Sequence, residues 1–214
     1  MRVQEYQLRQ HRPLEVPESS RERERHASHG RRWIAAALVV LVSAGMGSLL
    51  VARFGQPSET AYTAEADAYV STAHPHANYG GDPTLRADAT PRIHSYLRFR
   101  LDGLAGRPVR AQLRLWSSTG NLAGYSVRVA PDASWKEPAI TSSHRPAAGE
   151  AIARSGPFGP NAWTSTDVTS LVVGSDEVTL VVSTKSTQAI AFDSREGIHK
   201  PQLMVQTTEV PGRS

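Results

Sequence analysis

The fold class is decided by the stretch Ile93-His94-Ser95-Tyr96-Leu97-Arg98-Phe99-Arg100-Leu101. Its odd positions carry apolar or small side chains, and its even positions carry basic or aromatic ones. This period of two is typical of a β-strand with one face in a core and the other in water or against a ligand. Leu97, Phe99 and Leu101 are therefore predicted core residues.

The same alternation is repeated in Val109-Arg110-Ala111-Gln112-Leu113-Arg114-Leu115-Trp116. If the two strands share a sheet, its outer face combines arginines with aromatic side chains. The members of that face are Tyr96, Arg98, Arg100, Arg110, Arg114 and Trp116. Guanidinium groups match carboxylates bidentately and flat rings stack on sugars, so the set predicts contact with an acidic glycan. The alternative is that the arginines pair with acidic neighbours such as Asp193 or Glu196, or keep the face soluble.

From Ala66 onward, short alternating runs recur between turn residues, and no amphipathic helix of three turns competes with them. The predicted strands are Ala66–Val70, Thr84–Ala87, Ile93–Leu101, Val109–Trp116, Tyr125–Ala130, Glu150–Arg154, Trp163–Val173, Val178–Ser183, Ala189–Ser194 and Gln202–Thr207. A brief helical turn at Asp167–Val173, capped by Asp167, is left open. Many short strands separated by turns indicate an all-β sandwich or barrel.

The N-terminal part of the chain has a different composition. Residues 1–32 carry eight Lys/Arg against five Asp/Glu without apolar periodicity, which predicts a disordered tail, with a partner-binding peptide as the alternative. Residues 33–53 have no charge before Arg53 and are long enough to cross a bilayer as one helix. Since Arg31 and Arg32 precede this segment, the tail is expected in the cytoplasm and the C-terminal domain outside the cell membrane.

A cleaved signal peptide is the alternative to this membrane anchor. The long preceding segment and the length of the apolar run favour an uncleaved, single-pass anchor in contact with the lipid bilayer. Residues 54–65 are predicted to be a polar linker, residues 66–207 the β-domain and residues 208–214 a C-terminal tail.

Several short motifs resemble one known family when they are taken in order. They are Asp67-Ala68-Tyr69-Val70, Asn78-Tyr79-Gly80, Tyr96-Leu97-Arg98-Phe99, Leu113-Arg114-Leu115, Trp135-Lys136-Glu137, Ile140-Thr141, Arg145-Pro146, Trp163, Asp167-Val168-Thr169 and Phe192-Asp193-Ser194-Arg195-Glu196. This order resembles the DNRLRE-domain proteins, also classed as carbohydrate-binding module family 96. The resemblance implies a jelly-roll-type β-sandwich and non-catalytic binding of glycans, alginate above all. It also adds Arg195 to the predicted ligand-binding residues.

Other kinds of site receive little support from the sequence. The chain has no cysteine, and the motifs of a serine hydrolase, a P-loop or a zinc protease do not occur. Asp67, Asp82 and Asp193 offer the oxygen ligands of a structural calcium, but their spacing matches no calcium loop. We therefore predict no cofactor and no catalytic residue, while a calcium stays open. Residues 60–214 carry fifteen Lys/Arg against fourteen Asp/Glu, a balance that does not favour nucleic acid as a partner.

The sequence thus predicts a membrane-anchored, non-catalytic module that binds a polysaccharide at a bacterial cell surface. The polysaccharide is expected to be acidic and alginate-like. The alternative is a structural or scaffolding envelope protein whose sandwich binds another protein. An open groove of arginine and aromatic side chains favours the glycan, whereas a flat apolar patch favours the protein.

Overall fold

The computed structural model describes residues 57–104, 106–172 and 176–208. The predicted tail at residues 1–32 and the predicted membrane segment at residues 33–53 lie outside this part of the chain. Among the described residues, no helix has the length and apolar character needed to cross a membrane.

The described residues form eleven strands and one short helix. In chain order they are β1 Ser58–Thr63, β2 Ala66–Ser71, β3 Thr84–Ala89, β4 Arg92–Arg100, β5 Arg107–Ser117, β6 Ser126–Ala130, β7 Ala153–Arg154, β8 Ala162–Asp167, α1 Thr169–Val172, β9 Glu177–Ser183, β10 Ile190–Asp193 and β11 Gln202–Thr208. All strand pairs are antiparallel. The predicted all-β class is confirmed, and the jelly-roll type stays a prediction.

The strands belong to two sheets that meet at β3. Sheet A contains β1, β11, β5, β8 and β10, together with the first residues of β3. Sheet B contains β2, β4, β9, β6 and β7, together with the last residues of β3. Because β3 pairs with β10 through Thr84–Ala87 and with β4 through Asp88–Ala89, it passes from one sheet to the other.

The main core is formed by side chains from the inner faces of both sheets. Leu97 and Phe99 of β4 are fully buried in the same cluster as Leu113 and Leu115 of β5. Leu101 completes the predicted inner row of the stretch from Ile93 to Leu101, so that prediction is confirmed. The alternating sequence predicted these core residues correctly because neighbouring side chains of a strand point to opposite faces.

A loop covers part of the outer face of sheet B. Trp135 and Ile140, from the segment 131–148, pack on the outer side chains Tyr96 of β4 and Val181 of β9. Trp135 is 7% exposed, and its indole nitrogen donates a hydrogen bond of 3.1 Å to the hydroxyl of Thr179. The two sides of sheet B are therefore both partly buried, one by sheet A and one by this covering loop (residues 131–148).

Several details differ from the strand pattern expected from the sequence, and the predicted strand Glu150–Arg154 is only β7, Ala153–Arg154. The stretch predicted as a linker, residues 54–65, contains β1, which pairs along its whole length with β11. Its residues are almost all exposed, so this edge strand lacks the apolar alternation by which a strand is recognised. The brief helical turn that the sequence allows at Asp167–Val173 is present as α1. Asp167 accepts hydrogen bonds from the backbone nitrogen and the hydroxyl of Thr169.

Candidate functional site

A large cleft of the described domain lies on the outer face of sheet B, beside the covering loop. It has a volume of about 1090 Å³. Its lining includes Arg92, His94, Tyr96, Arg128, Ser142, Arg145, Pro146, Glu150, Arg154, Ser183 and Lys185. Strands β4, β6, β7 and β9 thus contribute to it, together with the loops that follow β6 and β9. A cleft of this size is comparable with the ligand pockets of proteins.

The floor of the cleft is a row of side chains from adjacent strands. Tyr96 of β4 lies opposite Val181 of β9, which in turn lies opposite Arg128 of β6. The hydroxyl of Tyr96 donates a hydrogen bond of 3.0 Å to the carbonyl oxygen of Pro146, so the covering loop forms one wall. Arg128 donates a hydrogen bond of 3.0 Å to the carbonyl oxygen of Gly149. These bonds fix the floor and one wall before any ligand binds.

The charge of the cleft is strongly positive. Its lining contains the cations Arg92, Arg128, Arg145, Arg154 and Lys185, and Glu150 is the acidic residue among the lining residues. Within the described ranges, none of these five cations forms an ion pair. The basic side chains therefore add to one another, and the cleft is complementary to an anion.

His94 shows the effect of this electrostatic field on a group inside the cleft. Burial first, and then the nearby charges of Arg145, Arg128 and Arg92, together lower the pKa of His94 to about 4. The imidazole is therefore neutral at neutral pH. An anion bound beside it would offset the arginines and raise its pKa.

Two of the predicted ligand-binding residues lie on β4 and contact the covering loop. Tyr96 lines the cleft but is itself 1% exposed, so it can offer only a small part of its ring to a ligand. Arg98 donates hydrogen bonds to the carbonyl oxygens of Ala133 and Trp135, at 3.0 and 2.7 Å. Its Nε also lies 3.2 Å from a carboxylate oxygen of Glu177. These contacts favour the structural alternative for Arg98.

Arg195 lies in a cluster of acidic side chains. Its Nη2 is 2.7 Å from a carboxylate oxygen of Glu137 and 2.7 Å from one of Glu196, and its backbone nitrogen donates to Asp67. Burial raises the pKa of Asp67 to about 7, and the charges of Glu196 and Glu137 add to the rise. Arg195 therefore supplies the positive charge that this cluster needs, and it joins three distant segments of the chain.

The predicted residues of β5 do not share the face of Tyr96, and Arg100 lies at the far end of β4. Strands β4 and β5 lie in different sheets. The six side chains that the sequence predicted for one outer face therefore lie on two surfaces. Arg110, Arg114 and Trp116 lie on the outer face of sheet A. Arg100 is exposed at the end of β4, where Glu65 and Asp102 are its ion-pair partners. Ligand contact by these residues stays a prediction.

The three aspartates considered for calcium have separate partners. Asp82 accepts a hydrogen bond from the hydroxyl of Tyr69, and Asp193 accepts one from the backbone of His199. In the described part of the chain, the acidic oxygens close enough to share an ion belong to Asp67, Glu137 and Glu196, within 4.8 Å of one another. Since Arg195 contacts this group directly, its guanidinium already provides a cation there.

The sequence missed most of the cleft. Arg92, Arg128, Arg145, Arg154 and Lys185 come from five separate segments, and only folding brings them to one surface. The sequence could have identified Arg128 as an outward-facing side chain, because it lies in a predicted strand between apolar neighbours. The others lie at strand ends or in loops, where no periodicity assigns a side chain to a face.

The described domain thus combines an antiparallel β-fold with a cationic cleft on the outer face of sheet B. The sequence model of carbohydrate-binding module family 96 matches residues 58–207, which is more than half of the chain. The chain belongs to this family, and its described domain is a non-catalytic carbohydrate-binding module. No curated protein matches the chain. The family resemblance predicted from the short motifs is thereby confirmed.

Proposed function

We propose that this module recognises an acidic, alginate-like polysaccharide and that the cleft on sheet B is its binding site. The observation that carries the proposal is the set of five cations in the cleft without an ion-pair partner among the described residues. Carbohydrate binding follows from the family, and the charge of the cleft is what favours an acidic carbohydrate over a neutral one.

The chemistry of the cleft suits carboxylates that are repeated along a chain. A guanidinium group can donate two parallel hydrogen bonds to one carboxylate, and charge-assisted bonds of this kind are stronger than neutral ones. Arg92, Arg154 and Lys185 are exposed, and within the described residues their side chains form no hydrogen bond. Each such contact at a wet surface is weak, so a ligand that engages several at once is favoured.

The cellular setting forms part of the same proposal. Residues 33–53 anchor the chain in the cell membrane, residues 1–32 lie in the cytoplasm, and the carbohydrate-binding module lies outside the membrane. The support is the sequence itself: an apolar run of bilayer length preceded by Arg31 and Arg32. The module would then hold an acidic polysaccharide close to the cell surface.

The experiment is affinity electrophoresis of the full-length chain in a non-ionic detergent. Gels contain sodium alginate with EDTA, or neutral dextran. We expect retardation by alginate alone, and we expect it to weaken with added salt because exposed charges are screened. The double variant Arg92→Ala, Arg154→Ala should lose affinity by several-fold up to about thirtyfold, since each exposed charge pair contributes about 0.2–1 kcal/mol.

Arg107→Ala is the control outside the cleft, because Arg107 is exposed at the start of β5 and does not line the cleft. It should bind as the wild-type chain does, and thermal unfolding should show all variants folded. A wild-type chain that migrates freely through alginate and other anionic polysaccharides would contradict the proposal. Under that outcome, capture of an envelope protein by the same chain would support the scaffolding alternative.

A further inference from the structure

The outer face of sheet A carries a second group of aromatic and basic side chains. Trp116 of β5 lies directly opposite Trp163 of β8, with ring centroids 5.8 Å apart and planes at 78°. His199 stacks on Trp116 with centroids 4.0 Å apart and planes at 18°. The guanidinium carbon of Arg114 lies 4.8 Å from the ring centroid of Trp163. We call these four side chains the aromatic cluster.

The aromatic cluster is held in place by hydrogen bonds at its margins. The Nδ1 of His199 lies 2.8 Å from a carboxylate oxygen of Asp193, which fixes the imidazole against Trp116. Arg114 donates a hydrogen bond of 3.3 Å to the side-chain oxygen of Gln202, its direct neighbour on β11. A rigid group of this kind loses little conformational entropy when a ligand binds.

The cluster is neither core nor ordinary polar surface. Trp163 is half-buried on the outer face, as are Trp116, His199 and Arg114. Two tryptophans that stay partly in contact with water give up apolar burial that a core position would provide. Their exposure is accounted for if a ligand covers them.

The charge of this face points to the kind of ligand. Arg110 and Arg114 lie on the same side of β5, about 13 Å apart at the usual rise of a strand. Neither forms an ion pair with an acidic side chain in the described part of the chain. Polar side chains surround them, including Gln112, Gln202 and Gln206. An apolar protein partner would leave these groups unpaired, whereas a carboxylated sugar chain can pair with them.

We propose that the aromatic cluster and Arg110 form a second carbohydrate-binding surface, at which sugar rings stack on the tryptophans and carboxylates pair with the arginines. This inference rests on the proposed function, because it assigns the same acidic polysaccharide to a second place. The hydrophobic core lies between the two sheets and separates this surface from the cleft, which is on the outer face of sheet B. One module can then contact two polysaccharide segments at once, so its overall affinity for the polysaccharide exceeds that of either surface alone.

The test uses the full-length chain with Arg92→Ala and Arg154→Ala, which weaken the cleft. Sodium alginate with EDTA is added while tryptophan emission is recorded. The full-length chain has four tryptophans, so the same titration is run on the cleft variant that also carries Trp116→Phe and Trp163→Phe. The emission change that this control lacks reports on Trp116 and Trp163. We expect a saturable change with alginate and none with dextran.

Adding Arg114→Ala to the cleft variant should weaken the remaining alginate binding about tenfold, whereas adding Arg107→Ala should leave it unchanged. Trp163→Phe, which preserves an aromatic ring, should retain most of the binding and thereby separate loss of stacking from misfolding. If the cleft variant shows no emission change and no residual affinity although the wild-type chain binds alginate, the second surface is overturned and the proposed function stands. If the wild-type chain itself does not bind, the proposed function has failed.

Discussion

Arg98 of β4 contacts both the backbone and the indole ring of Trp135 in the covering loop. The Nη1 of Arg98 donates a hydrogen bond of 2.7 Å to the carbonyl oxygen of Trp135, and its guanidinium carbon lies 5.4 Å from the centroid of the indole. The side chain of Arg98 is 13% exposed. Arg98 thus ties the loop that forms one wall of the cleft to the outer face of sheet B, although its position on the strand also suits ligand contact.

Replacement of Arg98 should therefore reduce stability. Arg98→Ala leaves two carbonyl oxygens, of Ala133 and Trp135, without their donor, and we expect a loss of about 2 kcal/mol or more in the free energy of unfolding. Arg100→Ala is the control, because that side chain is 50% exposed and its ion pairs are solvated. It should cost much less stability than Arg98→Ala, because exposed ion pairs contribute little. Urea unfolding followed by circular dichroism measures both, and equal losses would contradict the role assigned to Arg98.

Two adjacent glycines differ in how closely the chain approaches them. A Cβ added to Gly80 would lie 2.5 Å from the carbonyl oxygen of Glu137, whereas a Cβ added to Gly81 would have nothing within 4 Å. Gly80→Ala must displace the covering loop, and we expect it to lower stability by about 1–3 kcal/mol. Gly81→Ala should be close to neutral. A Gly80→Ala variant that melts at the wild-type temperature would show that the loop moves freely.

The buried carboxyl of Asp67 makes stability depend on pH. Its pKa in the folded chain is about 7, raised from 3.8 mainly by burial. The folded state therefore binds the proton more tightly than the unfolded state, and this contribution to stability is lost as pH rises from about 4 through 7. Asp67→Asn removes the titration, so the variant should gain stability relative to the wild-type chain between pH 5 and pH 8.

Urea unfolding at several pH values checks this prediction, with Asp132→Asn as the control. Hydrogen bonds from Ser134 lower the pKa of Asp132, so its titration lies below pH 5. The stability difference between that control and the wild-type chain should stay constant over the measured range. A constant difference for Asp67→Asn as well would mean that Asp67 is ionised throughout.

Binding in the cleft should take up a proton at His94. The pKa of His94 is about 4 in the free protein, since burial and three arginines disfavour the imidazolium. A bound polyuronate raises this pKa, so affinity should increase as pH falls from 7 towards 5. His94→Gln should show a flatter dependence. Affinity electrophoresis at pH 5, 6 and 7 measures both chains, and identical profiles would contradict a carboxylate beside His94.

Local pattern was sufficient for the strands and for their inner faces. Alternation located β4 and β5 and assigned Phe99 and Leu113 to the core, because the direction of a side chain in a strand depends only on its position. It missed β1, whose residues are exposed at a sheet edge and lack apolar alternation.

The sequence by itself determined the all-β class, the inner row of the stretch from Ile93 to Leu101 and, through the ordered motifs, the carbohydrate-binding family. Only the tertiary structure decided that β4 and β5 belong to different sheets, that residues 131–148 bury Tyr96 and engage Arg98, and that five separate cations meet in one cleft. The reason is physical: side-chain alternation is set within a strand, whereas strand partners and covering loops are chosen by contacts between segments far apart in the chain.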